Sequence, residues 1–313
     1  MGGKKTEILR YTTDDGNTIE LPAALIIGDT EGPEGVITAG IHGKEYCSIY
    51  SALKLFCELS PADIRGSLKI ITICDTASFE SGEGCLSPID SLNLDRCFPG
   101  KLKGSYSEVL AARIFDEIKG ADFHIDIHTG CSEEQTDSFA IYHRGRNPER
   151  NDKSHEIAYY AGQPNIVITE AEGRWADAGT CYSNTYEKIG IPSALLVYGL
   201  QGTNEAECIE RSSQSISNVL RRFGLLKGPV KPVGRPQIFE SMQEVHAKNK
   251  GLLYRSVSVG ENVRRGQLIG VLADYFGKPV EKILSPLNGK VLFMTKNPAV
   301  LEDGFIAAIG IGK

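Results

Sequence analysis

The chain has 313 residues, and its hydrophobic and charged fractions, 41% and 24%, are typical of a globular protein. The formal net charge of -6 disfavours a nucleic-acid partner, because a surface that binds nucleic acid is usually basic. No apolar run approaches the roughly 20 residues of a membrane-spanning helix, and no apolar stretch follows the first lysines as it would in a secretory signal. We therefore expect a cytoplasmic protein with neither a nucleic-acid nor a membrane partner.

Hydrophobic patterns predict alternating strands and helices through the first 223 residues. The expected strands are 18–27, 35–39, 68–74, 123–127, 138–142, 166–169 and 194–198, and the expected helices are 46–58, 107–119, 181–189 and 205–223. This alternation predicts a largely parallel sheet with helices on both faces.

A segment rich in proline and glycine, residues 226–236, marks a domain edge. Beyond it, short β-like runs are separated by Gly, Asn and Asp, and no helical pattern is evident. These runs are 251–259, 267–272, 289–294 and 305–309. We therefore expect two domains, residues 1–230 and a small all-β sandwich at 235–313.

The eight cysteines all lie in the first of these two parts, and the last is Cys208. None forms a Cys-x-x-Cys pair, and a chain of this length needs no disulfide to stabilise its core. We therefore expect reduced thiols.

Two residues of metal-ligand type, His42 and Glu45, follow the strand predicted at 35–39. They lie at the end of a strand and the start of a helix, where open α/β sheets place their sites. Zinc binds histidine nitrogen and carboxylate oxygen, and a catalytic zinc usually has three protein ligands. Taken alone, the pair also fits a loop histidine and a first-turn glutamate that the helix dipole favours.

A third candidate ligand lies on the strand that runs up to His128. His124, Asp126 and His128 are spaced by two, so they face the same side of that strand. A charged face between apolar residues is costly unless something pairs with it, as a metal would. We expect His128 as the ligand at the end of the strand, Asp126 as the residue that orients the ligand or the substrate, and His124 as a structural residue.

The loop 88–100 interleaves polar residues with leucines and contains Asn93, Asp95 and Arg96. An arginine near a metal can hold a carboxylate through two parallel hydrogen bonds. The alternative interpretation is a surface ion pair between Asp95 and Arg96.

Together these segments resemble the succinylglutamate desuccinylase/aspartoacylase family of carboxypeptidase A-like zinc hydrolases, over most of the chain. Gly40-Ile-His-Gly-Lys-Glu45 is similar to the family's metal motif, Asp126-Ile-His128 to its Asp-x-His, and Asn93-Leu-Asp-Arg96 to its Asp-Leu-Asn-Arg. The resemblance implies one Zn²⁺ per chain, bound by His42, Glu45 and His128. It also implies an α/β/α sandwich with a mixed sheet, followed by a lipoyl-like β domain.

The substrate clamp of the family is altered in this sequence. Arg96 is retained, but Asp95 replaces an Asn, and Cys85 stands where a further Arg is usual. We expect Asn93, Asp95, Arg96 and Cys85 to bind the substrate in a pocket that is less positive than usual. Such a pocket predicts a substrate with fewer carboxylates than N-acetylaspartate or succinylglutamate, and an amine near Asp95 would fit.

The general-base Glu of the family is missing, because Val197 occupies its position on the strand after Gly190-Ile-Pro. A general base accepts the proton of the attacking water and returns it to the leaving amine. We expect this role for Glu172 in preference to Glu170, although both also fit solvated loop acids. Tyr198 could donate a proton to the leaving group, or be a core tyrosine with a hydrogen-bonded tip.

These residues predict a zinc-dependent hydrolase that cleaves the amide bond of a small molecule, an N-acyl amino acid or a related amine. There are two alternatives. A zinc carboxypeptidase would use Arg96 for the carboxylate of a peptide, and a zinc-binding protein without hydrolysis would account for the missing base. Self-association into a homo-oligomer stays open.

Overall fold

A large mixed β-sheet organises the N-terminal part of the protein. The computed structural model describes residues 2–130, 134–170, 178–199 and 204–312. The strands of this part are β1 Gly3–Thr12, β2 Thr18–Ile27, β3 Thr30–Ala39, β4 Arg65–Ile71, β5 Phe123–Thr129, β6 Glu134–Thr136, β7 Phe139–Arg144, β8 Asn165–Glu170, β9 Ser193–Tyr198 and β10 Gln237–Phe239. All of them except β6 form one sheet, in the order β1-β2-β4-β3-β5-β9-β7-β8-β10.

Parallel and antiparallel pairs are combined in this sheet. Strands pair in parallel in β4–β3, β3–β5, β5–β9, β7–β8 and β8–β10. They pair antiparallel in β1–β2, β2–β4 and β9–β7. The mixed α/β fold that the family resemblance implies is therefore confirmed.

Helices cover both faces of the sheet. Within the described ranges they are α1 Tyr46–Glu58, α2 Thr76–Ser81, α3 Tyr106–Ile118, α4 Pro148–Tyr160, α5 Cys181–Lys188 and α6 Ala206–Arg222. One apolar core lies beneath α1, α4 and α6, and a second lies between the other face and α3 and α5. None of the helices in these ranges combines the length and the apolar character needed to cross a bilayer.

Strand β5 lies between β3 and β9, and all of its residues are buried. Ile125 and Ile127 belong to the core beneath α1 and α6. Because side chains alternate along a strand, His124, Asp126 and His128 face the opposite way. The carboxyl ends of β3, β5 and β9 share one edge of the sheet because these three strands are parallel.

The chain beyond residue 240 forms only β-structure in its described part. Its strands are β11 Ser241–His246, β12 Gly251–Arg255, β13 Asn262–Val263, β14 Leu268–Ala273, β15 Pro279–Leu284, β16 Gly289–Thr295, β17 Ala299–Val300 and β18 Phe305–Ile311. They form the sheets β11-β18-β16-β13 and β15-β14-β12-β17 around one apolar core. An all-β C-terminal part is what the sequence predicts.

Strands also cross between the two parts of the chain. Strand β10 pairs with β8 in the large sheet, although it follows the predicted domain edge. Strand β6 leaves the N-terminal part and pairs with β16. A shared apolar cluster, which includes Phe139, Phe239, Met242 and Leu292, packs the two parts together. The C-terminal strands are thereby held against the edge where β5 ends.

The expectation of reduced thiols is wrong for Cys47 and Cys208, which form a disulfide. Their Cα atoms lie 6.4 Å apart, because α1 and α6 pack side by side on the same face of the sheet. The pair is separated by 161 positions in the chain, so no local pattern reveals it.

Candidate metal centre

A turn after β3, closed by a hydrogen bond from the Glu45 N–H to the carbonyl oxygen of His42, brings His42 and Glu45 together. Gly40 has a positive φ of 64°, which residues with a side chain rarely adopt. A Cβ at Gly43 would lie 2.3 Å from the backbone of Ser78, so only glycine fits there. These glycines shape the connection from β3 to α1, in which Glu45 is the N-cap residue of the helix.

The carboxylate of Glu45 lies between two imidazole rings. Its Oε1 is 3.0 Å from Nδ1 of His42 and 2.9 Å from Nδ1 of His128. Ligand atoms of the three side chains all lie within 4.8 Å of one another. They lie close together because β3 and β5 are neighbouring parallel strands: His42 and Glu45 follow β3, and His128 is near the end of β5. The structure thus brings together the three residues predicted to hold a metal.

The charges of this cluster favour a bound cation. Burial opposes the charge of Glu45, yet His128 and His42 hold the pKa of its carboxyl below the usual value. Burial also opposes the charge of His42, but Glu45 raises the pKa of that imidazole to about 10. At His128, Glu45 and Asp126 likewise outweigh burial and raise the pKa well above its usual value. Without a metal, protons on the two rings supply the positive charge that a divalent cation would supply.

In both His42 and His128, the ring nitrogen that faces away from Glu45, Nε2, lies beside another polar side chain. Nε2 of His42 is 3.0 Å from Oδ1 of Asn93, and Nε2 of His128 is 3.4 Å from Oδ2 of Asp126. Within the described residues, neither atom of the second pair has a partner in hydrogen-bond geometry. Contacts of this kind orient a metal-binding imidazole and increase its basicity. Here they leave the Nδ1 atoms of both rings directed at Glu45.

Asp126 and His124 belong to a buried chain of hydrogen bonds. The Thr38 hydroxyl donates to Oδ1 of Asp126 at 2.6 Å and lies 2.9 Å from Nε2 of His124. Nδ1 of His124 is 2.8 Å from the hydroxyl of Ser193. Burial lowers the pKa of His124 to about 4, so this ring is neutral near pH 7. The structure places Asp126 against the candidate ligand His128 and places His124 in the interior.

A cleft of about 160 Å³ opens beside the three candidate ligands. It is lined by His42, Glu45, Cys85, Asn93, Asp95, Arg96, His128, Thr129, Gly130, Glu134, Thr136, Phe139, Leu195, Val197 and Phe293. The four residues predicted to bind substrate are among them. A larger cavity, of about 1060 Å³, lies beside Arg144 and Glu170 at the opposite edge of the sheet, away from this chemistry.

Asp95 is held in the cleft wall by the start of α5. Its Oδ1 accepts the backbone N–H of Cys181 at 3.1 Å, and its Oδ2 is 3.3 Å from Nη1 of Arg96. Burial raises the pKa of the Asp95 carboxyl. The predicted contact between Asp95 and Arg96 exists; the carboxylate is buried in the cleft wall, whereas the arginine side chain is half exposed.

The structure does not place Tyr198 at the cleft. Its side chain lies on the opposite face of β9, where its hydroxyl donates to Oγ of Ser215 at 2.9 Å, so it is a core tyrosine with a hydrogen-bonded tip. Glu172 lies outside the described residues. Glu170 ends β8 at the surface and pairs with Arg144. Val197, in contrast, lines the cleft.

Several residues of the cleft were not expected from the sequence, among them Glu134, Thr136 and Phe293. Phe293 lies on β16 and pairs in register with Thr136 of β6, so the C-terminal strands form part of the cleft wall. It also stacks on Phe139, with ring centroids 6.1 Å apart. Pairing between distant segments creates this wall, and a local pattern cannot reveal it. For Glu134, the only indication in the sequence of a place near the cleft is its position shortly after His128.

Two comparisons of the sequence identify relatives. The profile of the succinylglutamate desuccinylase/aspartoacylase catalytic domain matches residues 31–223. An N-alpha-acetyl-L-2,4-diaminobutyric acid deacetylase from Halomonas elongata is 29% identical over 251 residues. That match covers 78% of this chain and 71% of the relative.

Solved structures share the fold over nearly the whole chain. A product-bound structure of the ectoine utilization protein EutE (DoeB) from Ruegeria pomeroyi has a TM-score of 0.86 at 23% identity, and the match covers 99% of this chain and 95% of that one. A succinylglutamate desuccinylase/aspartoacylase from Rhodobacter sphaeroides has a TM-score of 0.83 at 24% identity, with coverage of 100% and 96%. At these identities the structures establish the fold alone.

Proposed function

Because the chain belongs to the succinylglutamate desuccinylase/aspartoacylase family, we propose that it is a zinc-dependent deacylase that hydrolyses the amide bond of an N-acylated amino acid. The observation that carries the proposal is the convergence of His42, Glu45 and His128 at one edge of the sheet. The cleft beside these side chains has room for a small substrate.

The residues present fit a single zinc ion. Two imidazole nitrogens and one carboxylate form a common protein ligand set of a catalytic zinc. Asp126 and Asn93 lie at the Nε2 atoms of the two rings and would keep the Nδ1 atoms directed at the metal. When bound, zinc lowers the pKa of a water molecule to about 7 and polarises the acyl carbonyl.

The cleft also supports a proposal for the substrate. We assign the half-exposed guanidinium of Arg96 to the carboxylate of the amino-acid part, because a guanidinium can hold a carboxylate through two parallel hydrogen bonds. The acidic wall at Asp95 and the absence of an arginine at Cys85 favour a substrate with one carboxylate and a further amine. The relative from Halomonas elongata is named for a substrate of this chemistry, N-acetylated 2,4-diaminobutyric acid.

The division of the chain into a hydrolase domain, residues 1–230, and a lipoyl-like domain, residues 235–313, also belongs to the proposal. It is supported by the two small C-terminal sheets and their own apolar core. The pairing of β6 with β16 implies that the second domain also helps to close the cleft.

Zinc content and turnover test the function together. We expect one zinc per purified chain, loss of activity with a chelator, and hydrolysis of N-acetyl amino acids in preference to dipeptides. His42→Ala should lose the metal, whereas His246→Ala, in the C-terminal part, should keep it. Stoichiometric zinc with no turnover on any amide would overturn the deacylase assignment, and hydrolysis confined to peptides would favour a carboxypeptidase.

A further inference from the structure

One wall of the cleft, beside the candidate metal ligands, has no carboxylate among the described residues. This wall is apolar, formed by Leu195, Val197, Phe139 and Phe293. Val197 pairs in register with His128, so it lies directly beside a candidate ligand and yet has no group that titrates. Hydrolysis of an amide needs a group that takes a proton from water and delivers it to the leaving nitrogen.

Three carboxylates line the cleft among the described residues: Glu45, Asp95 and Glu134. Glu45 and Asp95 are less suited than Glu134 to exchange a proton with water. Glu45 contacts both histidines and is a candidate ligand. Asp95 is buried, and its Oδ1 accepts a backbone N–H at the start of α5. Glu134 is only half-buried, so water and substrate can reach it.

The backbone geometry of β6 directs Glu134 into the cleft. Glu134 and Thr136 are two residues apart on this strand and both line the cleft, as alternation requires. Gln135 between them faces away, and its side chain accepts a hydrogen bond from Arg255 at 3.2 Å. A Cβ at Gly130 would lie 3.2 Å from the carbonyl oxygen of Glu134. Strand β6 therefore packs against the residue two positions beyond His128.

We infer that Glu134 is the general base of this enzyme, in a step that rests on the proposed deacylase function. Its carboxylate accepts one proton from the attacking water as the water oxygen bonds to the acyl carbon and the π electron pair of the carbonyl moves onto the carbonyl oxygen; this pair re-forms the C=O bond in the next step. The C–N bond then breaks, its electron pair stays on nitrogen, and the protonated Glu134 returns the proton to that nitrogen. The products are a carboxylic acid and the free amine. Pairing of β6 with β16 holds the strand that carries this group.

Steady-state kinetics of Glu134→Gln test this role, with N-acetyl-L-2,4-diaminobutyrate and other N-acetyl amino acids as substrates. The amide keeps the shape of the side chain but cannot take a proton. We expect kcat to fall at least a hundredfold with KM nearly unchanged, zinc content retained, and the acidic limb of the pH profile of kcat/KM lost. Gln135→Ala, on the opposite face of the same strand, should leave kcat within about twofold.

Each other outcome is decisive. A kcat that falls by less than about a hundredfold, or a loss confined to KM, would overturn the inference and in the second case make Glu134 a substrate-binding residue. If Glu134→Gln does not retain zinc, Glu134→Asp decides: with zinc retained, a lower kcat together with a shifted acidic limb of the pH profile supports the inference, whereas an unshifted acidic limb overturns it. Failure of the unaltered, zinc-loaded enzyme on every amide would overturn the proposed function itself, whereas normal turnover by the Gln variant would overturn only this inference.

Discussion

Thr38 and Asp126 share a hydrogen bond of 2.6 Å that sets the protonation of the buried hydrogen-bond chain beside the candidate metal ligands. Burial opposes the charge of Asp126, but His128 holds its pKa below the usual value, so the carboxylate is ionised and only accepts. Thr38 must therefore donate its single hydroxyl hydrogen to Asp126 and accept from Nε2 of His124. The neutral His124 then accepts from the hydroxyl of Ser193 through Nδ1. Asp126 is left with one oxygen, Oδ2, facing His128.

Replacing Asp126 by Asn should weaken zinc binding, because the amide keeps the bond from Thr38 but loses the charge beside His128. We expect the affinity to fall by about 10- to 100-fold, as is usual for residues that orient a metal ligand. Competition with a chromophoric chelator at pH 7.5 would measure it. Asp116→Asn removes an exposed carboxylate that pairs with Lys119 and should leave the affinity unchanged. Equal affinities for the two variants would show that Asp126 does not orient the ligand.

The sequence predicts this part of the site because its pattern is local. A spacing of two on a strand determines which side chains share a face, so the arrangement of His124, Asp126 and His128 follows directly. The same rule explains Tyr198, because a shift of one residue along β9 moves a side chain to the other face of the sheet. Val197 therefore lines the cleft, and Tyr198 enters the core.

The rest of the cleft depends on pairing between distant segments. Glu134 and Phe293 meet at the cleft because β6 pairs with β16, across about half the chain length. The disulfide has the same origin, in the packing of α1 against α6. Helix α4 was not predicted from the sequence, for a different reason. Its buried face is small and gives little hydrophobic periodicity, since it consists of Ser154, Ile157 and Ala158.

Asp95→Asn should change which substrates the enzyme prefers. The amide oxygen can still accept the N–H of Cys181, so the start of α5 is preserved while a negative charge leaves the cleft. We expect the ratio of kcat/KM for N-acetylaspartate over N-acetyl-L-2,4-diaminobutyrate to rise at least tenfold, which corresponds to about 1.4 kcal/mol. Glu80→Gln removes an exposed carboxylate of α2 and should leave the ratio unchanged. An unchanged ratio in Asp95→Asn would mean that this charge does not select the substrate.

Removing the bond between Cys47 and Cys208 should destabilise the fold. The bridge closes a long loop and restricts the unfolded chain, so the double variant Cys47→Ala/Cys208→Ala should lose about 2–4 kcal/mol in the free energy of unfolding. Cys57→Ala removes an exposed thiol and should cost less than about 0.5 kcal/mol. Thiol titration of the denatured, unaltered protein should rise by two on reduction. If reduction releases no thiols, the bridge does not form in solution.

His143 should make the protein less stable in mild acid. Its ring is buried on Tyr182, and burial lowers its pKa to about 4, below the value of about 6.5 expected in the unfolded chain. Between these two values the unfolded chain binds the proton that the folded protein excludes, so stability falls as the pH falls below about 6.5. His143→Phe keeps a ring against Tyr182 and removes the titration, so the loss of unfolding free energy from pH 7 to pH 5 should be smaller by about 2 kcal/mol.

Urea unfolding at pH 5, 6 and 7 would measure this difference. His246 provides a control of opposite sign: although burial opposes its charge, the hydrogen bond to Glu244 raises its pKa. When folding raises the pKa of a histidine, its protonation stabilises the folded protein fully at a pH below the pKa of the unfolded chain. This stabilisation is lost as the pH rises through the pKa of the folded protein. His246→Phe should therefore make the loss of stability in acid steeper, whereas His143→Phe makes it shallower. A His143→Phe profile parallel to that of the unaltered protein would mean that this ring is protonated in the folded state at pH 5.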